Sequence, residues 1–247
     1  MIKGISEYEK YKVIRPIIGG SSFDTYHIPI IRKTDVSCID WENLNIQGIQ
    51  NLSKKRDNHN SLVHMFIDDY KLLALWNNPL KKIALFRTCA AIATPDFSIY
   101  PSMNYNDIRH NVYKSRWLGV TWQNYGNVVF PTLGWAGEET FDISFCAVEE
   151  ETPVVISTIG CQNRQEEFLL GFNEMKKRLH PPIIIVVGDM IPGMTGRFIN
   201  FRYTDCFATD FVQMKLDGIS AVFEIKRGDL NGFKRCICRC KYGRFYI

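Results

Sequence analysis

Five short apolar runs, each followed by a polar turn and most by a stretch with helical spacing, constrain the fold of this 247-residue chain more than any other feature. A continuous run of Val and Ile is typical of a strand buried on both faces, as in a parallel sheet. The repeat of strand, turn and helix therefore predicts an α/β fold with a parallel core. The runs are Leu62–Ile67, Ile83–Ala93, Val128–Phe130, Val154–Ile156 and Ile183–Val187.

The pattern leaves two architectures open, a (β/α) barrel-like core related to the eight-fold TIM barrel and an open parallel sheet. In both architectures, ligands bind at the carboxyl ends of the strands. Helices are expected at 70–76, 106–122 and 164–179. The residues predicted at the strand ends are Asp68, Asp69, Thr94, Asp96, Ser98, Thr132, Trp135, Ser157, Thr158 and Asp189.

The character of the chain changes near its first quarter and again near its end. Residues 1–61 finish in a polar run, and we expect them to form an irregular N-terminal segment packed on the core. Residues 62–247 are expected to form one α/β domain. It ends in two alternating runs, 218–226 and 233–242, whose glycine-bounded connection is typical of an antiparallel β-hairpin.

The net charge of +4 is unevenly distributed. Residues 226–247 contain seven basic residues and one acidic residue, a net charge of +6, whereas the rest carries 23 basic and 25 acidic residues, a net charge of −2. The hairpin is therefore predicted to bind a phosphate backbone through Arg235, Arg239 and Lys241, with Arg244 nearby. The alternative is a solvated edge strand that its charges protect from pairing.

Composition excludes several classes of protein. With 46% hydrophobic and 23% charged residues, the chain is too apolar for a disordered protein. Its longest apolar stretches are far short of the ~20 residues of a membrane span. Charges near the N-terminus argue against a signal peptide, so we expect a cytoplasmic protein whose eight cysteines are thiols. No pattern identifies a cofactor or an oligomeric state.

Six sequence blocks stand out in the centre of the chain: Phe66-Ile-Asp-Asp69, Trp76-Asn-Asn-Pro79, Thr94-Pro-Asp-Phe-Ser-Ile-Tyr100, Trp122-Gln123, Phe130-Pro-Thr-Leu-Gly-Trp135 and Val155-Ile-Ser-Thr-Ile-Gly160. In this order they resemble an uncharacterised bacterial and phage family, domain of unknown function 4417. The resemblance covers residues 62–190 and departs from the family at Lys114-Ser-Arg116, where an Arg-x-Arg pair is expected. It implies a phage or mobile-element context and supplies no activity.

Acidic residues follow two of the runs and are the candidates for catalysis. Asp96 is a candidate general acid or base, and Ser98 is a candidate for positioning the substrate. Asp68 and Asp69 offer a second carboxylate pair, of which only one can face a site because adjacent side chains on a strand point to opposite faces. All four residues also fit the alternative of a helix or turn cap. Oxygen ligands from two strand ends would suit a divalent cation, but no His or acidic cluster completes a metal site.

A small turn after the fourth run is predicted to bind phosphate. Ser157, Thr158 and Gly160 let backbone N–H groups approach an anion, although the lysine and second glycine of a P-loop are missing. Asp189 follows the next run and would adjoin this turn in a barrel. A tight turn without a ligand is the alternative.

The third run is flanked by candidates for recognising a base or a sugar. Trp122 and Trp135 are predicted to stack on such a group and Gln123 to hydrogen-bond it, with core packing as the alternative. Thr132 lies at the strand end. Arg116, on the preceding helix, is predicted either to reach an anion at the same opening or to pair with an acid.

Two functions follow from these patterns. The first is a phage or mobile-element enzyme that acts on a phosphate-containing substrate, a nucleotide or nucleic acid, at the carboxyl ends of the strands. The second is a non-catalytic protein that binds nucleic acid or a host protein through the basic hairpin.

Overall fold

The computed structural model describes residue 15, residues 20–55 and 57–202, and the backbone of four strands between residues 210 and 246. The chain divides into two compact units, residues 1–206 and 207–247. Strands and helices alternate along the first unit. The division predicted at residue 61 stays a prediction.

Four parallel strands form the first sheet, and their order in the sheet is their order along the chain. They are β1 (Asn45–Gly48), β2 (Ser61–His64), β3 (Ala91–Ala93) and β4 (Val129–Phe130).

Three further parallel strands form the second sheet, β5 (Val154–Ser157), β6 (Ile184–Val187) and β7 (Phe198–Phe201). A parallel bridge between Thr132 and Val155 connects the two sheets. The predicted α/β class with a parallel core is confirmed. No pairing joins β7 to β1 in the described part of the chain, so closure into a barrel stays a prediction.

Helices occupy the connections between strands in the first unit. The longer ones are α1 (Asp69–Asn77), α3 (Tyr105–Asn124) and α5 (Gln165–Leu179), close to the predicted helical stretches. Two helices of one turn, α2 (Ile83–Phe86) and α4 (Phe141–Ser144), lie between them.

The stretch Ile83–Ala93 was predicted to be a strand, but its first half is helical. Residues 83–86 form α2, where Ile83 and Phe86 are buried three residues apart on one side of a helical turn. Only residues 91–93 pair as β3. Arg87 and Thr88 divide this stretch into two short apolar segments, and the spacing in such short segments does not separate a helix from a strand.

Strands β2 to β6 bury both faces, which explains their largely apolar sequences. One core cluster takes a residue from each of the seven strands, among them Ile46, Leu62 and Val155. Alternate residues face outward, such as Ile92 toward α1 and α3, or Ile156 toward α5. Sequential strand order around one shared inner core is the arrangement that barrels use.

Helix α3 lies unusually close to the loop that follows β3. Its N-cap Asn104 accepts a hydrogen bond from the Asn106 backbone N–H at 2.9 Å. Farther along, Gly119 meets this loop, where an added Cβ would lie 2.7 Å from Thr94 Cγ2. A side chain at residue 119 would push the helix away, so glycine permits the contact.

The second unit contains four antiparallel strands in the order β11-β10-β9-β8, as far as its backbone is described. They are β8 (Asp210–Leu216), β9 (Ile219–Ile225), β10 (Ile237–Cys240) and β11 (Gly243–Tyr246). The predicted turn at 228–232 lies outside the described residues. Within the described residues, no helix has the length and apolar character needed to cross a membrane.

Candidate functional site

A cavity of about 1150 Å³ opens at the carboxyl ends of β2, β3, β4 and β5. This is the edge at which parallel α/β folds bind their ligands, and the volume would hold a nucleotide-sized molecule. The predicted site residues that line it are Asp68, Asp69, Asp96, Ser98, Trp135, Ser157 and Gly160.

Asp96 lies in the cavity wall on the loop after β3, which we call the Asp96 loop (residues 94–98). Burial raises the pKa of Asp96 to about 7, and the negative charge of Asp69 adds to this effect. Among the described residues, none donates a hydrogen bond to its carboxylate. Asp96 is therefore a carboxyl group that exchanges its proton near neutral pH.

Asp69 occupies the first position of α1 and reaches across to the Asp96 loop. Its carboxylate accepts hydrogen bonds from the Ser98 backbone N–H at 3.2 and 3.3 Å and from Ser98 Oγ at 2.9 Å. The Tyr100 hydroxyl in turn donates to Ser98 Oγ at 3.3 Å. These donors stabilise a carboxylate, so Asp69 and Asp96 have opposite environments in one cavity.

Asp68 faces the rim of the cavity instead. Its carboxylate pairs with the Lys71 ammonium at 2.6 Å, and both side chains are more than half exposed. It stands at the N-cap of α1 without making a side-chain cap hydrogen bond. Of the two adjacent acids, only Asp69 is bonded to the Asp96 loop.

The turn after β5 also lines the cavity. Ser157 Oγ donates to the Val187 carbonyl and accepts from the Ile159 backbone N–H, both at 3.2 Å. Its hydroxyl therefore already holds the turn together, while Gly160 follows with a φ of 80°. At the start of α5, Arg164 contacts Glu167 at 3.8 Å on the cavity rim.

Trp135 is the aromatic residue predicted to stack on substrate that does line the cavity. Its ring lies 5.1 Å from that of Phe168 and 5.6 Å from that of Phe145, measured between centroids. Gly171 in the middle of α5 permits this approach, since a Cβ there would overlap the indole. Trp135 is partly exposed, so part of it remains available to a ligand.

Arg116 lies behind the Asp96 loop, almost completely buried at 2% exposure. Its guanidinium donates to the carbonyls of Cys146, Thr132 and Ser144 at 3.3, 3.1 and 2.9 Å. It does not line the large cavity, and it pairs with no acid among the residues that the structure describes. Thr132 lies in the same buried layer, where its backbone N–H donates to Thr94 Oγ1 at 2.8 Å.

Trp122 and Gln123, near the end of α3, also lie away from the cavity. Trp122 is fully buried and donates through Nε1 to the Pro79 carbonyl at 2.9 Å. Gln123 donates through Nε2 to the Arg32 carbonyl at 2.7 Å and accepts from the Arg32 N–H at 3.1 Å. Both residues connect α3 to neighbouring segments of the chain.

The remaining predicted site residues either do not line the cavity or have no described side chain. Thr158 is buried against Gly188, and Asp189 is exposed, with its carbonyl accepting from Gln162 Nε2 at 3.2 Å. Arg235 and Lys241 lie outside the described residues, and Arg239 and Arg244 lie in β10 and β11, where the backbone alone is described.

The structure adds residues that the sequence patterns did not select. Arg164 and Glu167 belong to the helix predicted after the fourth run, and its first turn faces the strand ends. Lys114 is buried on α3 with its ammonium 4.1 Å from the centroid of the Phe97 ring. Burial lowers the pKa of Lys114, and the charges of Asp69 and Asp107 oppose this. The signal for Lys114 was its departure from the family pattern.

Cysteine and metal chemistry find little support in the cavity. Burial raises the pKa of the Cys161 thiol, and the charge of Asp96 adds to the effect, so the nucleophilic thiolate is disfavoured. In the described part of the chain, no group of three or more His, Cys, Asp or Glu side chains is placed to hold a metal ion.

Comparison with known proteins identifies the family to which the chain belongs. A family model described as Domain of unknown function (DUF4417) matches residues 21–205, which ends where the first compact unit ends. The Gene 1 protein of Mycobacterium phage L5 is 30% identical over 184 residues, covering 73% of this chain and 79% of that protein. The Gene 1 protein of Mycobacterium phage D29 is 34% identical over 129 residues, covering 51% of this chain and 48% of that protein.

No solved structure matches this chain. The match to the family model covers most of the chain, and both relatives are phage proteins, as the sequence blocks predicted. The chain therefore belongs to the phage-associated family Domain of unknown function (DUF4417).

Proposed function

We propose that this protein is an enzyme that binds a nucleotide-sized substrate in the cavity and uses Asp96 as its general acid–base. The observation that supports this most directly is an unpartnered carboxyl group with a pKa of about 7 in the wall of a cavity at the strand ends. A catalytic acid–base works best when its pKa is close to the operating pH. Perturbed carboxyl groups also concentrate at functional sites.

The charged residues around the cavity limit the class of substrate that it can bind. Asp68 is neutralised by Lys71, and Glu167 by Arg164. The residues that line the cavity include four acids, Asp68, Asp69, Asp96 and Glu167, and one base, Arg164. Acids that outnumber bases would repel a polyphosphate, so the lining suits a substrate with one phosphate better. The single phosphate would bind beside Arg164 and the turn after β5.

The remaining surfaces suit the rest of a nucleotide. Trp135 offers an aromatic surface against which a base can stack. Asp96 lies on a different wall from Arg164, on the loop after β3. A substrate held between Arg164 and Trp135 would present its sugar or base to Asp96, which would take or give the proton at the reacting atom.

The test is a binding and turnover experiment with defined probes. Calorimetry with AMP, adenosine and orthophosphate is expected to show that AMP binds about tenfold more tightly than adenosine, a difference of about 1.4 kcal/mol. Arg164→Met should remove that difference. Arg178→Met is the matched control, because Arg178 lies on the same helix and pairs with Glu174 and Asp142 instead.

Turnover is followed by ³¹P and ¹H NMR in a mixture of ribonucleoside and deoxyribonucleoside monophosphates. Asp96→Asn should abolish turnover and keep binding. Equal binding of AMP by the wild type, Arg164→Met and Arg178→Met, or turnover that survives Asp96→Asn, would reject the proposal.

A second candidate function rests on the backbone of the second unit. In the antiparallel pairing of β10 with β11, Arg239 is the register partner of Arg244. Residues 207–247 contain eight basic and four acidic residues. Binding of nucleic acid through these strands would weaken steeply with salt, and Arg239→Ala/Arg244→Ala would reduce the salt slope. Unchanged binding in that variant across a salt series excludes this function.

A further inference from the structure

We infer that a second, much smaller cavity behind Asp96 is a binding site for one water molecule, which is held jointly by Asp96 and Ser144. This cavity is about 10 Å³, and apolar residues and glycine make up the rest of a lining whose polar members are Asp96, Asn111, Ser115, Arg116, Thr132 and Ser144. The role of the water in catalysis rests on the proposed function, whereas the water site itself does not.

The size and lining of the small cavity both suit water. A single water molecule needs roughly 10–15 Å³ on this measure and two to four polar partners. Side chains with hydroxyl, carboxyl and guanidinium groups supply those partners here. An apolar hole of the same size would stay dry, but about half of this lining is polar.

Ser144 provides the independent observation. It is 1% exposed, and its Oγ has no hydrogen-bond partner among the described residues. Buried hydroxyl groups in native proteins are almost always hydrogen-bonded, to protein or to ordered water. The Ser144 carbonyl is already used by Arg116 at 2.9 Å, which fixes the residue at the edge of the cavity.

Asp96 and Arg116 both line the small cavity. The Asp96 carboxylate, which is partly exposed and also lines the large cavity, accepts no hydrogen bond from the described residues. Arg116 makes four hydrogen bonds and carries five N–H groups, so one N–H remains for a further acceptor. A water in this position accepts from Arg116 and donates to Asp96.

Such a water would tune the proton affinity of Asp96. Hydrogen bonds to a carboxylate favour its ionised form. Among titratable and charged groups, Asp69 faces Asp96 from α1, Cys161 from the turn after β5 and Arg116 from α3. The negative charge of Asp69 raises the pKa of Asp96. A hydrogen bond from the water, behind the loop, would lower this pKa. Ser144 is thus a positioning residue that acts on Asp96 through the water.

The first experiment is a high-resolution crystal structure of the wild-type protein. It should show one ordered water about 2.7–3.2 Å from both the Asp96 carboxylate and Ser144 Oγ. A direct hydrogen bond between Ser144 Oγ and Asp96, or a well-ordered cavity with no water density, would overturn the proposal.

The second experiment measures the titration of Asp96 by ¹³C NMR. Ser144→Ala should shift its midpoint upward by about 0.5–1 pH unit, because the water loses a partner and stabilises the carboxylate less. Ser157→Ala is the matched control, because Ser157 lines the large cavity but not the small one. This variant should leave the titration midpoint of Asp96 unchanged. An unchanged midpoint in Ser144→Ala would contradict the positioning role. Neither experiment requires turnover, so failure of the proposed enzyme function would be recognised separately.

Discussion

The two sides of the Asp96 loop use polar side chains in opposite ways. Behind the loop, Thr94 accepts from Ser115 Oγ at 3.0 Å and from the Thr132 backbone, and Arg116 satisfies three carbonyls. In front of it, Asp96 has a raised pKa and no donor among the described residues. Most polar groups behind the loop are hydrogen-bonded, with Ser144 Oγ as an exception, whereas at the front the partly buried Asp96 carboxyl group accepts no hydrogen bond from the described residues.

This difference supports the role proposed for Asp96. A buried polar group that is fully bonded stabilises the fold, while an unpaired buried carboxyl group destabilises it. A fold that keeps such a group at the ligand-binding edge of its sheet accepts lower stability there. That pattern is expected of an active site, where stability and activity often conflict.

The largest expected effect is on the back of the loop. Arg116→Met should lower the free energy of unfolding by about 3–5 kcal/mol, because three buried carbonyls lose their donor. Urea unfolding monitored by circular dichroism measures this.

Arg164→Met, on the exposed rim of the cavity, is the comparison for Arg116→Met. Its side chain is 65% exposed and its ion pair with Glu167 is long, so stability should change by no more than about 0.5 kcal/mol. Similar losses in the two variants would show that the two sides of the loop do not differ as described.

A smaller effect of opposite sign is expected at the front. Asp96→Asn should increase the free energy of unfolding at pH 8 by about 1–3 kcal/mol. The raised pKa of Asp96, about 7 when folded against about 3.9 in an unfolded chain, means that the folded state binds more protons between these values. Stability of the wild type therefore falls as pH rises through this window, and the variant lacks that loss.

The control for this prediction is the same pair of proteins at pH 4. There Asp96 is protonated in the folded protein and about half protonated in the unfolded chain, so the difference in the free energy of unfolding should shrink to about 0.5 kcal/mol. A variant that is less stable than the wild type at pH 8 would indicate that Asp96 is a structural cap after all.

The fold was largely predictable because buried parallel strands have a strong sequence signature. Runs such as Ile183–Val187 contain no polar residue, and the helix at 164–179 has clear spacing. Strands β1 and β7 were not predicted, because Asn45–Gly48 and Phe198–Phe201 mix polar and apolar residues. Their place in the sheet is decided by pairing with β2 and β6, which short-range spacing does not record.

The sequence predicted the edge of the sheet at which the candidate site lies better than it predicted which residues line that site. The carboxyl ends of parallel strands share one edge, and Asp69, Asp96 and Trp135, all predicted at strand ends, line one cavity there, while their roles stay predictions. Whether a side chain on α3 faces the cavity depends on rotation about the helix axis and on what packs there. Arg116 and Trp122 turn inward to bond carbonyls, and the sequence offers no sign of those partners.

The smallest expected effect concerns Gln123, which was predicted to bind a base or a sugar. It instead bonds the backbone N–H and carbonyl of Arg32 as a second strand would, and it also donates to Thr34 Oγ1 at 3.1 Å. Gln123→Ala should lower the free energy of unfolding by about 1 kcal/mol and leave AMP binding unchanged. Gln123→Glu is the sharper variant, because it keeps the acceptor for the Arg32 N–H and sets a carboxylate against the Arg32 carbonyl. If either variant weakened AMP binding while unfolding at the same urea concentration as the wild type, Gln123 would belong with the cavity residues and the contrast between bonded and unpaired polar groups would fail.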